Sequence, residues 1–384
     1  MERNLTTGSV FKNIVFFSLP YLLSYFLQTL YGMADLFIIG QFEGTASTTA
    51  VSIGSQVMHM LTVMIVGLAM GSTVSIGQSV GANDKKRAAV HIGNTVTLFL
   101  ALSMVLTVVL VLLVHPIVTI MSTPTEAVSG TVAYLTICFI GIPFITAYNI
   151  ISSIFRGLGD SKSPMYFIAV ACAANIALDY VFMGALGMGP AGAALGTTLS
   201  QAVSVLVSLA VIIRRRSLSL HRSDFRPRRE AIGRILKIGV PIAVQDGLIQ
   251  ISFIVITVIA NRRGLTDAAA VGIVEKIIGF VFLVPSSMLS AVSALGAQNI
   301  GAGKPDILDV ILSGKIDLVI NTPSKGVAHN RDGYLIRRNA VEAGIPCLTS
   351  LDTANAFLTC AQHVETTQLS VIDITTVSSF LNFI

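Results

Sequence analysis

Charge is what this 384-residue sequence has least of: Asp, Glu, Lys and Arg make up 12% of it, against 53% hydrophobic residues. A soluble chain of this length needs more charge to stay in solution, so the composition excludes an ordinary soluble domain and predicts a polytopic membrane protein. Cysteine is sparse too. Cys138, Cys172, Cys347 and Cys360 show neither close pairing nor metal-ligand spacing, which excludes a disulfide framework and leaves buried or reduced thiols. Paired carboxylates on soluble elements, a nucleophile with a base, and a metal cluster are all missing from the pattern. No catalytic site and no cofactor is expected. His59, His91 and His115 are isolated, which fits hydrogen bonding at loops and helix ends rather than metal ligation.

The few charges are placed unevenly. The surplus of Lys and Arg might suit nucleic acid, but its densest run, "RRRSLSLHRSDFRPRRE" (Arg214–Glu230), lies between two apolar runs. Cytoplasmic loops of membrane proteins concentrate positive charge in that way, so no nucleic-acid partner is expected. A bilayer core needs about 20 mostly apolar residues per helix. Runs of that length lie near 14–40, 49–77, 90–115, 131–154, 165–187, 191–213, 235–260 and 270–298, which predicts eight spans. The N-terminal run carries no usual cleavage site and reads as a first membrane helix rather than a removed signal. Basic residues follow the second span in "DKKR" (Asp84–Arg87), the fourth at Arg156 and Lys162, and the sixth. The intervening loops have almost none, apart from Arg262 and Arg263. This asymmetry puts the N-terminus and the end of the eighth span in the cytoplasm.

The spans repeat. "GQSVGANDKKR" (Gly77–Arg87) is echoed by "AQNIGAGKPD" (Ala297–Asp306), "AVSIG" (Ala50–Gly54) by "AVGIV" (Ala270–Val274), and "LPYLL" (Leu19–Leu23) by "VPIAV" (Val240–Val244). Repeats six spans apart share an orientation, as in parallel two-lobed transporters with a site at the lobe interface. Pro20 and Pro241 fall at matching places and suggest paired bends; Pro143 and Pro285 also lie in or beside apolar helices. The "GAGK" of Gly301–Lys304 has no preceding strand and no following Ser or Thr, so it is read as a turn and not a phosphate loop.

Polar groups inside apolar runs are the candidate site. Asp35 has Gln28 two turns before it on the same face, and Asp179 has Asn175 one turn before it. Thr197, Thr198, Ser200 and Gln201 follow early in the sixth span, and Asp246 in the seventh is a weaker candidate for the same cavity. An intramembrane carboxylate normally marks an ion or proton path. Either Asp35 or Asp179 carries a proton that alternates with a cationic substrate, or Gln28, Asp35, Asn175, Asp179 and Thr197 supply oxygens to a hard cation such as sodium. The structural alternative is that each Asp caps a kink or pairs with a neighbouring helix. Met58, Met60, Met64 and Met70 are read as packing or lipid contacts, with a deformable substrate wall as the alternative.

Over roughly residues 10–306, "MADLFIIGQF" in the first span, "GQSVGANDKKRA" after the second, "FRGLGDSKSP" (Phe155–Pro164), "NIALDYVFMGALGMGPAGAALGTTLSQ" (Asn175–Gln201) and the repeated "AQNIGAGKP" resemble the MATE family, the multidrug and toxic compound extrusion transporters. The resemblance implies two six-helix lobes exporting cationic or amphipathic compounds against a proton or sodium gradient. It also implies an N-lobe coupling site at Gln28, Asp35, Asn175, Asp179 and Thr197. The expected organisation is an N-lobe at 1–213, a basic cytoplasmic linker at 214–234, two helices of a second lobe at 235–305, and a soluble tail at 306–384.

That tail reads helix, strand, helix, strand, helix, with "IDLVINTP" as a strand and "YLIRRNAVEAG" as a helix ending at Gly344. "LVINTPSKG", "RDGYLIRR" and "GIPCLTSLDTA" resemble the methylglyoxal-synthase-like allosteric domain of the carbamoyl-phosphate synthase large subunit. The resemblance implies an effector-binding remnant at Asn321 and Thr322, without that family's leading strands or phosphate loop. Two incomplete families joined near Pro305 read as a chimera, with the second lobe short of four spans and no independent transport expected.

Overall fold

The computed structural model describes residues 5–7, 10–215, 220–263, 265–303, 316, 318–320 and 332–349. Among the described residues of the first of two compact units, Met1–Gly303, there are ten α-helices: α1 (Val10–Phe42), α2 (Thr45–Gly81), α3 (Lys85–Leu112), α4 (Val114–Ile120), α5 (Thr125–Ile140), α6 (Ile142–Gly157), α7 (Lys162–Asp179), α8 (Gly189–Arg215), α9 (Arg229–Arg263) and α10 (Leu265–Gly301). A π-helical segment, Tyr180–Ala185, continues α7, and a 3₁₀ turn, Arg222–Phe225, precedes α9.

Among the described residues seven helices are long and apolar enough to cross a membrane, or eight if α5 and α6 together make one span. The span expected at 131–154 is that pair, bent by 50°. The break falls at Gly141, and Pro143 lies in the first turn of α6, where its missing N–H costs the helix nothing. Helices run past the apolar windows at both ends because hydrogen-bonded backbone continues into the interface, where polar side chains are tolerated. Large apolar side chains such as Leu100, Met104, Val108 and Leu112 of α3 point outward, as a lipid-facing surface requires. The main core is formed where α1, α2, α5 and α8 meet around Ile39, Val51, Leu135, Phe139 and Ala194.

The repeat recurs as structure. After α2, the Ala82 N–H donates to Gln78 O at 3.0 Å and Asn83 N–H to Val80 O at 2.9 Å. After α10, Ala302 N–H donates to Gln298 O at 2.9 Å and Gly303 N–H to Ile300 O at 3.1 Å. Asn83 and Gly303 both take a left-handed conformation, with φ of 56° and 69°, a place that Gly fills freely and Asn tolerates. The two turns also touch reciprocally. A side chain on Gly81 would collide with Gln298 O, and one on Gly301 with Gln78 O. Thus α2 and α10 cross about an approximate two-fold axis, each glycine admitting the other helix's backbone.

The N-terminal stretch joins this crossing. Leu5 N–H donates to Gln298 Oε1 at 3.3 Å and Asn299 Nδ2 donates to Leu5 O at 3.2 Å. Gln298 Nε2 donates to Gly157 O at 3.0 Å. Leu5, Gly81, Gly157 and Gly301 therefore lie on one side of the helix array.

The basic linker is less free than its composition predicts. Asn94, fully buried in α3, donates from Nδ2 to Asp224 O at 3.1 Å and accepts at Oδ1 from Arg228 N–H at 2.6 Å. Thr97 Oγ1 donates to Phe225 O at 2.8 Å. Residues 220–228 are thereby pinned along α3.

The second unit, Lys304–Ile384, contains among its described residues strands β1 (Val319–Ile320) and β2 (Cys347–Leu348) and helix α11 (Asp332–Glu342). The strands pair in parallel, Val319 opposite Cys347 and Ile320 opposite Leu348, which demands a crossover connection such as α11. Gly344, at φ 71°, ends the helix. Ala340 and Ile345 are buried against Ile316, Val319 and Ile336. The expected effector residues Asn321 and Thr322, and Cys360, lie outside the described residues.

Replacing Asn94 with Ala removes one acceptor and two donors from a buried site, at a cost of roughly 1–3 kcal/mol for each buried partner left unpaired. We expect a lower melting temperature and faster tryptic cleavage within 214–229 than in the unaltered protein. Unchanged cleavage would show that the linker is held by other contacts.

Candidate functional site

Asp35 comes from the outer third of α1, Asn175 and Asp179 from the end of α7, and Thr197 from α8. Asp35 is 3% exposed, Asn175 1% and Asp179 0%. Thr197 Oγ1 donates to Asp35 Oδ2 at 3.2 Å. The Asp179 and Asn175 side chains face the same Asp35 carboxyl group. Four of the five residues expected at the site thus converge from three helices. Gln28 does not join them: it is half-buried and lies within reach of Tyr148 on α6. Asp246 is elsewhere too, on α9 against α2, rather than in the cavity shared by Asp35 and Asp179.

Asp179 is the last α-helical residue before the π-helical turn Tyr180–Ala185, which buries Met183 and leaves Tyr180 and Val181 exposed. On the facing helix stands Gly196, a local feature that the sequence pattern did not point to and that makes this convergence possible. A side chain there would collide with Asp179 Oδ1, so its absence is what lets α8 lie against the carboxylate. The only trace in the sequence is the small-residue run "AGAALG" (Ala191–Gly196).

The surroundings are polar but not basic. Besides Asp179, the neighbours of the Asp35 carboxyl group are the Thr197 and Asn175 side chains. Tyr31, Tyr134, Cys138 and Cys172 lie near enough to feel the Asp35 charge. Tyr134 pairs its hydroxyl with that of Ser55 at 3.1 Å. Asp35 Oδ1, both Asp179 oxygens, both Asn175 amide atoms, Thr198 Oγ1 and Gln201 Oε1 are buried without a partner in good hydrogen-bonding geometry.

Two carboxylates about 4 Å apart repel by roughly 4 kcal/mol even at an effective dielectric constant of 20. Both are ionised together only if a cation lies between them; otherwise one proton is held by the pair. The oxygen donors of Asp35, Asp179, Asn175 and Thr197 suit a hard monovalent cation. Among the described residues no group of three or more His, Cys, Asp and Glu gathers that would hold a transition metal. By its chemistry such an arrangement can hold one proton or one monovalent cation.

Gly196→Ala tests the packing. The added methyl must displace Asp179 or α8, and overpacking of this kind costs about 1–3 kcal/mol. We expect a lower melting temperature and loss of any stabilisation by sodium or by protons. A variant that kept its cation response would show that Asp179 tolerates displacement.

Comparison with known proteins agrees with this architecture. The MatE family model matches residues 20–181 and 241–320. The second match passes residue 306, where the sequence pattern changes towards a soluble domain. The probable multidrug resistance protein YpnP of Bacillus subtilis is 32% identical over 300 residues, covering 78% of this chain and 67% of that protein. The multidrug export protein MepA of Staphylococcus aureus is 25% identical over 303 residues, covering 79% and 67%. A MOP superfamily transporter from Pyrococcus furiosus superposes with a TM-score of 0.72 at 25% identity, over 80% of this chain and 71% of that one. A MATE structure in the straight conformation also gives 0.72, at 26% identity over 78% and 67%. The two segments that the family model matches each contain one copy of the repeat, and the carboxylate pair lies within the first lobe: the chain belongs to the MatE family of membrane transporters.

Proposed function

We propose that this protein is a multidrug efflux antiporter that moves cationic or amphipathic compounds out of the cell, driven by a proton or sodium gradient. One observation carries the reading: Asp35 and Asp179, brought together out of water with Asn175 and Thr197 and no basic side chain among their partners. Such a pair is stable with one proton or one monovalent cation and unstable without it. Loading from the outside neutralises the pair and favours a closed packing of α1, α7 and α8. Release on the other side restores repulsion and favours the arrangement in which substrate binds. The relatives named for multidrug resistance and export support the same reading. The protein is a multi-pass membrane transporter and not an enzyme.

The topology follows from the basic loops. Leu5, the α2–α3 turn and the end of α10 lie together on one side. Lys85, Lys86 and Arg87 belong to that side as well, which supports a cytoplasmic N-terminus and a cytoplasmic entry into the tail.

Asp35→Asn and Asp179→Asn each keep the shape and remove the titratable charge. With the first lobe grafted onto a complete second lobe and assayed in inside-out vesicles, each is expected to reduce gradient-driven uptake of a cationic dye at least about ten-fold. Uptake that survives both substitutions would place the coupling charge elsewhere.

A second reading concerns residues 304–384. We infer that they are a remnant of a methylglyoxal-synthase-like effector domain, joined to the transporter by a rearrangement near Pro305. The parallel β1–α11–β2 unit supports this. So few strands shield both faces of a sheet poorly, and without a phosphate loop Asn321 and Thr322 offer no charged contact to a nucleotide. Adding millimolar nucleotides to the full-length protein is therefore expected to leave its melting curve unchanged. A saturable upward shift would establish a working sensor domain. Long-read sequencing across the codons for Gly301 to Asp309 tests the rearrangement itself.

A further inference from the structure

Pro20 and Pro241 align in the repeat, and five residues after each stand Tyr25 and Asp246. Both side chains cross between the lobes. Tyr25 reaches from α1 to α10, where its hydroxyl pairs with Ser290 Oγ at 3.0 Å. Asp246 makes the reciprocal crossing from α9 to α2. A methyl group on Gly67 would lie 2.8 Å from Asp246 Oδ2 and 3.0 Å from Ala243 Cα, so the carboxylate occupies room left by the missing side chain. The two crossings differ in one respect. The tyrosine hydroxyl is partnered, whereas Asp246 makes no hydrogen bond or ion pair with any described residue.

Depth sharpens the contrast. Asp246 stands about half-way along the 35-residue helix α9, near the depth of the bilayer centre, where a charged side chain costs roughly 2.5–3.5 kcal/mol even on the mildest scale. A contact needed only to hold the lobes together is met by a neutral hydroxyl, as Tyr25 shows. Asp246 is also half-buried rather than enclosed. Beside it lies an apolar, adaptable surface: Met64 Sδ comes within 3.2 Å of a methyl group placed on Gly247, and thioethers adjust to ligands of varied shape.

We propose that Asp246 is the charge-recognition residue for the cationic head of the transported compound, with Met64 as the apolar wall beside it. This rests on the efflux reading above. It adds a substrate point at the seam between lobes, apart from the Asp35–Asp179 pair enclosed by α1, α7 and α8. Two separate carboxylate sites let substrate and coupling cation bind without displacing each other directly, and exchange follows from movement at the seam.

The test uses the full chain in lipid nanodiscs, with tetraphenylphosphonium as a cationic probe and triphenylphosphine oxide as a neutral one. The unaltered protein is expected to bind both. Asp246→Asn should weaken phosphonium binding at least about ten-fold, as loss of a charge-assisted contact does, and leave the phosphine oxide unchanged. Asp246→Glu should retain phosphonium binding, and Asp35→Asn should bind phosphonium normally. Equal phosphonium affinity in Asp246→Asn would overturn the assignment, as would parallel loss of both probes, which marks a structural role. If the unaltered protein binds neither probe, the efflux reading itself fails.

Discussion

Two carboxylates held side by side out of water set the terms for the helices around them. Asp35 and Asp179 are tolerable only where hydroxyl and amide groups replace water and where lipid cannot reach. Thr197 and Asn175 supply the first requirement, and the packing of α7 and α8 against α1 supplies the second. That packing depends in turn on Gly196. A single methyl there would force the carboxylate or α8 to move.

The same economy of side chains governs the contact between lobes. Helix α2 meets α9 at Gly67 and α10 at Gly81, and α10 answers with Gly301. Helix association inside a membrane gains little from the hydrophobic effect, because lipid is as apolar as leucine; close backbone approach and polar contacts provide the attraction instead. Gln298 shows how much one polar side chain carries there, bridging the N-terminal stretch and the end of α6 from within α10.

Much of this was legible in order along the chain. Apolar run length located each described helix that is long and apolar enough to cross a membrane, because such a helix must satisfy its own backbone in hydrocarbon. The cost of burying charge singled out Asp35 and Asp179, and the repeated turns after α2 and α10 were visible as repeated words. Less legible was Gln28, whose spacing places it on the Asp35 face of α1. Two helical turns amount to about 11 Å, far enough for its amide to find Tyr148 instead. The linker at 214–234 read as a basic tether because composition reports charge and not the buried Asn94 that fastens it.

The sequence by itself determined which segments are long and apolar enough to cross a bilayer, and which carboxylates are too costly to be incidental. These are one-dimensional matters, decided by the local balance between hydrocarbon, backbone hydrogen bonds and charge. Only the tertiary structure decided which carboxylates share a site. Asp179 joins Asp35 and Asp246 does not, because close packing depends on where glycines leave room on the opposing helix, and nothing along one helix records what faces it.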